Sequence, residues 1–253
     1  MLENRTKAKL AAGEPAFGCF VRTPEPQLIE YVGLLGWDFL VFDAEHGPLQ
    51  PREIEDLCRA IEPNGTTPLV RVTTNDAPTI LRFLDIGAHG VHVPWVNSAA
   101  EAERAVRAVK YSPRGTRGLA GSRASQWGLR EPIEAYVERA NRETLVVIQV
   151  ETQEAVDAID DYLKVDGVDV LFLGPTDLSQ SLGHPGDLRH PSVLAAMDRV
   201  ADAVVGSGTT LGIYAGTVDM TKAWLDRGAR YFTTSLEPFL RDGMRAHLRD
   251  VRG

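Results

Sequence analysis

Cysteine and long apolar runs are scarce in this chain, and their scarcity excludes several protein classes. Only Cys19 and Cys58 occur among 253 residues, with no Cys-x-x-Cys pair, so a disulfide framework is not expected. No apolar run approaches the roughly 18 residues that span a membrane. The first residues lack the apolar core of a signal peptide. We therefore expect a cytoplasmic protein that does not enter a membrane.

Positive charge is also in deficit. Lysine and arginine total 27 residues against 35 aspartates and glutamates, which gives a net charge of −8. A net negative surface argues against bulk binding of nucleic acid or of an anionic membrane. The hydrophobic fraction of 43% is that of an ordinary globular protein and excludes disordered, collagen-like and coiled-coil chains.

Short apolar segments alternate with longer amphipathic ones along the whole sequence. Eight segments of four to six residues are rich in Val, Leu, Ile and Phe. They predict strands buried on both faces, as in a parallel sheet. The predicted strands are 16–21, 39–43, 68–72, 90–93, 145–150, 168–173, 210–214 and 230–234.

Helical periodicity fills the intervals between these strands. The segment 51–61 begins with proline at a first-turn position and repeats apolar residues on one face. The other predicted helices are 24–35, 76–86, 98–109, 133–141, 154–163, 192–205 and 218–227. Eight strands, each followed by a helix, predict a single (β/α)8 TIM barrel over residues 1–253. A doubly wound open sheet is the alternative, although no Gly-x-Gly-x-x-Gly follows the first strand.

The longest irregular stretch is the loop 111–130, which carries Arg114, Arg117, Arg123 and Arg130. A loop this long inside a compact domain is usually functional or disordered. Two interpretations stay open at this point. It is either a solvated surface loop or a segment that binds an anion or contacts another subunit.

The segment after the second predicted strand concentrates ionisable groups. Asp43, Glu45 and His46 follow the apolar run 39–42, and active sites of such barrels lie at the carboxyl ends of strands. A carboxylate beside an imidazole fixes its tautomer and raises its basicity, which suits a general base. The alternative is a helix-capping aspartate next to a surface histidine.

The third predicted strand ends in Arg71, whose guanidinium needs an anionic partner in an apolar barrel. That partner is either a ligand or a carboxylate of the protein, and both interpretations stay open. None of the five lysines lies on a predicted strand. A Schiff-base mechanism, which needs a desolvated lysine in the barrel, is therefore not expected.

Two further carboxylates follow the fifth and sixth predicted strands. Gln149 and Glu151 are two residues apart, which places them on one face of a strand. Asp177 follows a Gly-Pro turn at the end of the next strand. Two carboxylates without a nearby cysteine or histidine form a hard oxygen site that suits Mg²⁺ or Mn²⁺.

Four motifs in order resemble those of the 4-hydroxy-2-oxoheptanedioate aldolases, class II pyruvate aldolases of the phosphoenolpyruvate/pyruvate barrel superfamily. They are Asp43-Ala-Glu-His-Gly-Pro48, Pro68-Leu-Val-Arg71, Gln149-Val-Glu-Thr152 and Gly174-Pro-Thr-Asp-Leu-Ser179. The similarity extends through nearly the whole chain, including 111–118 and 123–125. It implies metal-dependent retro-aldol cleavage of a 4-hydroxy-2-oxo acid to pyruvate and an aldehyde, without an organic cofactor.

The resemblance also implies roles for individual residues at the metal. Glu151 and Asp177 would ligate a divalent ion, either Mg²⁺ or Mn²⁺, with Co²⁺ as a further candidate. Gln149 and the backbone at Gly174 and Thr176 would contact the pyruvate unit.

The remaining implied roles concern the reacting bonds and the assembly. Arg71 would neutralise the oxygen that gains charge as the enolate forms. His46 would act as the base, with Asp85, from a neighbouring subunit, raising its basicity. Members of the family form homohexamers in which the last helix is exchanged between partner barrels.

Some residues depart from the family pattern. Thr176 stands where alanine is expected, and Tyr214, at the end of the seventh strand, replaces an aliphatic residue associated with aldehyde selectivity. Trp95 and Trp127 are expected to add bulk near the mouth of the site. These departures leave the aldehyde open, and hydroxypyruvate is an alternative nucleophile.

Two other functions stay open. An acyl-CoA lyase of the malyl- or citramalyl-CoA type would use the same barrel, with the loop 111–130 for the CoA phosphates. A metabolite sensor without turnover would lack the base or a metal ligand, and neither is missing from the sequence.

Overall fold

Eight parallel strands form a closed barrel in sequence order, β1 to β8. The computed structural model describes residues 3–253. The strands are Ala16–Val21, Phe39–Asp43, Thr67–Arg71, Gly90–Val93, Leu145–Val150, Val170–Leu173, Thr210–Tyr214 and Tyr231–Ser235. The barrel closes where β8 pairs in parallel with β1, so the predicted TIM barrel is confirmed and the open sheet is not found.

Twelve α-helices, α1 to α12 in chain order, are present in the described residues. They are Arg5–Ala11, Pro26–Gly33, Pro51–Ile61, Ala77–Asp85, Ala99–Val109, Ile133–Glu143, Gln153–Asp157, Ile159–Tyr162, Pro175–Ser181, Pro191–Val204, Val218–Asp226 and Leu236–Arg252. None of the helices within residues 3–253 combines the length and apolar character needed to cross a bilayer.

The predicted helix 154–163 is two short helices, α7 and α8, which meet at Ala158. Strand β6 starts at Val170, two residues later than predicted. Helices α1, α9 and α12 lie outside the helical ranges predicted from periodicity. Helices α1 and α9 have only seven residues, too few turns for a clear apolar period.

Two apolar layers hold the barrel together. The outward-facing strand residues pack against the helices in one large cluster. The inward-facing ones fill the barrel with a second cluster that includes Phe20, Phe39, Phe172 and Tyr231. His92 lies among these rings, fully buried, with its Nε2 2.5 Å from the Tyr231 hydroxyl. The interior of the barrel is thus filled by side chains and forms no channel through the described chain.

Helix α1 closes the amino-terminal end of the barrel. The Asn4 side chain donates to the backbone oxygens of His89 and Glu143, at 3.1 and 3.0 Å. The Thr6 hydroxyl lies 2.8 Å from the Thr67 hydroxyl at the start of β3. These contacts tie the segment before β1 to three later elements, and the carboxyl ends of the strands remain open.

The loop 111–130 is irregular, as predicted, apart from a single 3-10 turn at Gln126–Gly128. Its Arg117 donates to Asp85 at 2.6 Å, and Arg123 donates to both carboxylate oxygens of Glu62, at 3.1 and 2.6 Å. Asp85 and Glu62 lie at or just after the carboxyl ends of α4 and α3. The loop is therefore anchored by ion pairs to the amino-terminal face of its own barrel.

Candidate active site

A cavity of about 310 Å³ opens at the carboxyl ends of the strands. Eight of the nine predicted site residues line it, namely His46, Arg71, Gln149, Glu151, Gly174, Thr176, Asp177 and Tyr214. Six further residues complete the wall, namely Phe20, Arg22, Asp43, Phe172, Pro175 and Ser235. The residues predicted from five separate strand ends thus converge on one cavity.

Arg71 and Asp43 form a bidentate ion pair in this cavity. They face each other in register on β3 and β2, with Arg71 Nε 2.9 Å from Asp43 Oδ1 and a terminal nitrogen 2.6 Å from Oδ2. Burial alone would raise the pKa of Asp43, but the pair outweighs it and lowers the pKa. Arg71 also lies over the Phe20 ring, 4.7 Å from its centroid. Its guanidinium is therefore held by protein contacts and still faces the cavity.

His46 and Glu45 lie on a tight turn after β2. The Asp43 Oδ1 atom accepts the backbone N–H groups of Glu45 and His46, at 3.2 and 3.1 Å. Asp43 thus shapes this turn rather than capping a helix. The imidazole is half exposed, with Nε2 3.7 Å from Glu45 Oε2. Burial raises the pKa of Glu45, and the nearby Arg71 opposes that shift.

Glu151 is a deeply buried carboxylate of the cavity, with 2% of its surface exposed. Its Oε1 accepts the Trp95 backbone N–H at 2.8 Å, and its Oε2 accepts Gln149 Nε2 at 2.5 Å. Burial raises the pKa of Glu151 to about 7, and the carboxylates of Asp177 and Glu45 add to the shift. The carboxylates of Glu151, Asp177 and Glu45 are close enough to repel one another. A cation bound among them would therefore be stabilised.

The donor set of the cavity fits a hard divalent cation. Within residues 3–253, no three His, Cys, Asp or Glu side chains form a metal-binding group, so the protein would supply Glu151 and Asp177 only. Mg²⁺ and Mn²⁺ are commonly held by one or two carboxylates together with water and substrate oxygens. The fit to a divalent cation therefore rests on the two carboxylates, which share a cavity with room for water and substrate oxygens.

Gly174 leaves the space that Glu151 needs. A Cβ at this position would lie 3.0 Å from Glu151 Oε2 and 3.1 Å from Glu151 Cβ. These approaches are closer than ordinary van der Waals contact, so the carboxylate would have to move. The glycine at the end of β6 thus sets the position of an acid at the end of β5.

The variant Gly174→Ala is expected to weaken Mn²⁺ binding by about 10-fold or more, the range for losing the support of a ligand. Titration of the purified protein with Mn²⁺, followed by electron paramagnetic resonance, measures this change. Gly243→Ala is the control, because nothing lies within 4 Å of its Cβ position. Equal affinities in the two folded variants would contradict the role of Gly174.

Trp95 is a supporting residue that the sequence analysis placed near the mouth only for its bulk. Its backbone has a φ of 54°, a left-handed conformation that is costly for a bulky side chain. This conformation directs the N–H at Glu151, while the indole Nε1 donates to Glu45 Oε1 at 2.9 Å. Trp95, in the connection after β4, thereby links Glu151 to Glu45. No sequence pattern predicts a positive φ at tryptophan.

Asp85 and Trp127 do not lie in the cavity of their own chain. Asp85 ends α4 at the opposite face of the barrel and binds Arg117. Trp127 lines a second cavity, of about 290 Å³, together with Arg123 and His89. The expectation that Trp127 adds bulk at the mouth is wrong within this chain, because the loop folds onto the amino-terminal face.

Arg22 is the charged cavity residue that sequence reasoning missed. It follows β1 directly, so the rule that identified polar residues at the carboxyl ends of other strands also applies to it. Ser235 and Tyr214 lie beside it in the cavity wall, with their hydroxyl oxygens 3.2 Å apart. Phe20 and Phe172 read as ordinary core residues, and nothing in the sequence distinguishes them.

Comparison with known proteins agrees with this geometry. Residues 16–238 match the family model described as HpcH/HpaI aldolase/citrate lyase. The chain belongs to this family. A hydroxypyruvate/pyruvate aldolase of Roseobacter denitrificans is 36% identical over 236 residues, which cover 92% of this chain and 91% of the relative. A 4-hydroxy-2-oxo-heptane-1,7-dioate aldolase of Escherichia coli is 35% identical over 241 residues, 94% of this chain and 91% of the relative.

A solved structure gives the same assignment. The crystal structure of an HpcH/HpaI aldolase/citrate lyase family protein from Burkholderia cenocepacia superposes with a TM-score of 0.93. It is 35% identical and covers 99% of this chain and 100% of its own. The resemblance drawn from the four motifs is confirmed. This HpcH/HpaI family member is a carbon–carbon lyase of the aldolase type.

Proposed function

We propose that the enzyme cleaves 4-hydroxy-2-oxo acids reversibly to pyruvate, or hydroxypyruvate, and an aldehyde, and that it depends on a divalent metal. One observation carries the proposal: a buried carboxylate, Glu151, shares a cavity with Asp177 and with the ion-paired Arg71. Cleavage of the C3–C4 bond leaves an enolate, so the barrier is mainly the free-energy cost of that negative charge. Positive groups directed at the enolate oxygen lower it.

Glu151 and Asp177 would hold the metal, which is Mg²⁺ or Mn²⁺, with Co²⁺ as a further candidate. When bound, the metal supplies positive charge beside the oxo group and carboxylate of the substrate. Gln149 fixes one oxygen of Glu151 through its amide nitrogen, at 2.5 Å. The Gln149 amide and the backbone of Gly174 and Thr176 would contact the pyruvate unit.

Arg71 would stabilise the oxygen that gains charge. Its two bonds to Asp43 hold the guanidinium in place before the substrate binds, so little reorganisation is needed as the enolate forms. His46 would remove the proton of the C4 hydroxyl. Histidine is the side chain that most often serves as a general base, which suits this step. Asp85 of the partner subunit would raise the basicity of His46.

The variant His46→Ala is expected to slow aldol cleavage by about 10²- to 10⁴-fold, the usual contribution of a general base. Decarboxylation of oxaloacetate by the same variant should change far less, because it needs no base at C4. The ratio of the two rates is the measurement, with His184→Ala, outside the cavity, as the control. Equal losses in both reactions would remove His46 from the role of base.

We propose that the protein is a homohexamer in which α12 is exchanged between barrels. Only Leu236 of this 17-residue helix is buried, and Phe239, Leu240, Met244, Leu248 and Val251 are exposed. An apolar cavity of about 500 Å³ lies beside the helix, lined by Phe17, Trp37 and Phe232 among others. The apolar face of α12 from a second copy of the chain would fill this cavity. Sedimentation equilibrium should give six chains, and a monomer would contradict the proposal.

Pyruvate release separates the aldolase from an acyl-CoA lyase. The arginines that suggested a CoA phosphate site, Arg117 and Arg123, are paired with acids on the opposite face of the same chain. We therefore expect pyruvate from a free 4-hydroxy-2-oxo acid, followed with a coupled dehydrogenase. Turnover of a malyl- or citramalyl-CoA thioester without turnover of any free acid would favour the lyase instead. Binding without any turnover would favour a sensor.

A further inference from the structure

The cavity contains a second guanidinium, that of Arg22, to which the proposed chemistry assigns no role. Arg22 follows β1, and its Nε donates to Glu237 Oε1 at 3.1 Å. Within the described chain, no hydrogen bond or ion pair engages its two terminal nitrogens. The side chain lines the cavity and is 42% exposed. One edge of the guanidinium is thus anchored, and the other faces the space where a substrate binds.

The stem of Arg22 is held in place by the turn after β2. A Cβ on Gly47 would lie 3.2 Å from both Cβ and Cγ of Arg22, so the glycine lets this turn pack closely on the arginine. Glu237 lies in the first turn of α12 and fixes the guanidinium from the other side. Contacts on both sides reduce the ordering cost of binding an anion, which favours affinity.

The order of strands places Arg22 across the cavity from the metal ligands. In a closed barrel of eight strands, β1 lies opposite β5, which precedes Glu151, and beside β2 and β8. A substrate with its oxo acid at Glu151 and its C4 hydroxyl at His46, after β2, extends toward β1. The end of the substrate beyond C4 therefore approaches Arg22, with Tyr214 and Ser235 alongside.

We propose that Arg22 determines acceptor specificity by binding an acidic group at the far end of the aldehyde. A carboxylate and a phosphate share the chemistry that two free guanidinium N–H groups recognise. The inference rests on the proposed function, since it assigns the aldehyde half of the same substrate. The tyrosine and serine hydroxyls beside Arg22 would accept or donate to polar atoms along the aldehyde chain.

The test compares aldehydes of matched length with and without an acidic end. Aldol addition of pyruvate in the presence of Mn²⁺ is measured with succinic semialdehyde against butanal, and with glyceraldehyde 3-phosphate against glyceraldehyde. In Arg22→Met, kcat/KM should fall by about 10- to 100-fold for an acidic aldehyde, the worth of a charge-assisted bond. The values for the neutral aldehydes should stay within about 3-fold, since they make no such bond. A fall in kcat/KM with only one of the two acidic aldehydes would identify whether Arg22 binds a carboxylate or a phosphate.

Two controls separate Arg22 from its surroundings. Arg114→Met removes an exposed arginine at another cavity. It should leave unchanged the ratio of kcat/KM for each acidic aldehyde to kcat/KM for its neutral counterpart. Glu237→Gln keeps the charge of Arg22 and removes a charge that competes for it, so the preference for acidic aldehydes should persist. Equal losses with acidic and neutral aldehydes in Arg22→Met, or an unchanged ratio, would overturn the proposal.

Failure of the proposed function is recognised separately. Exchange of the pyruvate methyl protons with solvent deuterium, followed by NMR, needs no aldehyde and should be the same in wild type and Arg22→Met. Exchange in wild type without any preference between the matched aldehydes overturns the role of Arg22 alone. Absence of both exchange and addition in wild type would overturn the aldolase proposal, and the Arg22 inference with it.

Discussion

The variant Arg71→Ala is expected to lose aldol cleavage by about 10²- to 10³-fold in kcat, the range for removing one group that stabilises a developing oxyanion. Its affinity for Mn²⁺ should change little, because the guanidinium bonds to Asp43 rather than to Glu151 or Asp177. Steady-state pyruvate release gives the first quantity, and titration with Mn²⁺ gives the second. A loss of turnover without a loss of Mn²⁺ affinity is the outcome specific to the role proposed for Arg71.

The removal of Arg71 also leaves the carboxylate of Asp43 buried, at 1% exposure, without its charged partner. An unpaired buried charge is costly, so a loss of activity in the single variant could reflect misfolding. The double variant Arg71→Ala/Asp43→Asn removes that charge and should fold but remain inactive. Arg52→Ala, at an exposed position on α3, is the matched control. Near-normal turnover in the folded double variant would show that Arg71 is not part of the mechanism.

The variant Glu151→Gln is expected to weaken Mn²⁺ binding by about 100-fold or more, since even supporting groups of metal sites contribute 10- to 100-fold. Glutamine preserves the size of the side chain and can still accept the Trp95 N–H, so the turn after β4 should keep its conformation. Added Mn²⁺ should then fail to restore pyruvate release at concentrations that saturate the wild type.

The matched control for this substitution is Glu154→Gln, three residues further along, at an exposed position of α7. It should bind Mn²⁺ as the wild type does. The variant Asp177→Asn should resemble Glu151→Gln, because the two acids would share one ion. Wild-type Mn²⁺ affinity in both Glu151→Gln and Asp177→Asn would place the metal elsewhere.

Sequence alone predicted the barrel and most of the cavity, for a physical reason. Buried parallel strands require continuous apolar runs, and the polar residues that interrupt them at their carboxyl ends must meet at one face of a closed barrel. Arg71, Glu151 and Asp177 were found in this way. The pairing of Arg71 with Asp43 was not, because it depends on the register between β2 and β3.

Other features depend on contacts that no local pattern contains. The orientation of Glu151 relies on the positive φ of Trp95 and on the missing side chain of Gly174. These two residues follow β4 and β6, whereas Glu151 follows β5. No proline or glycine lies at Ala158 to predict the break between α7 and α8. Asp85 lies at the end of α4 on the opposite face of its own barrel, so its proposed role at another barrel depends on the assembly and on no local pattern.

The most direct test of a metal-dependent aldolase is pyruvate release from a 4-hydroxy-2-oxo acid, measured before and after treatment with EDTA and again after addition of Mn²⁺. We expect EDTA to abolish release and Mn²⁺ to restore it in the wild type but not in Glu151→Gln. Release that continues in EDTA would contradict the assignment of Glu151 and Asp177 as metal ligands.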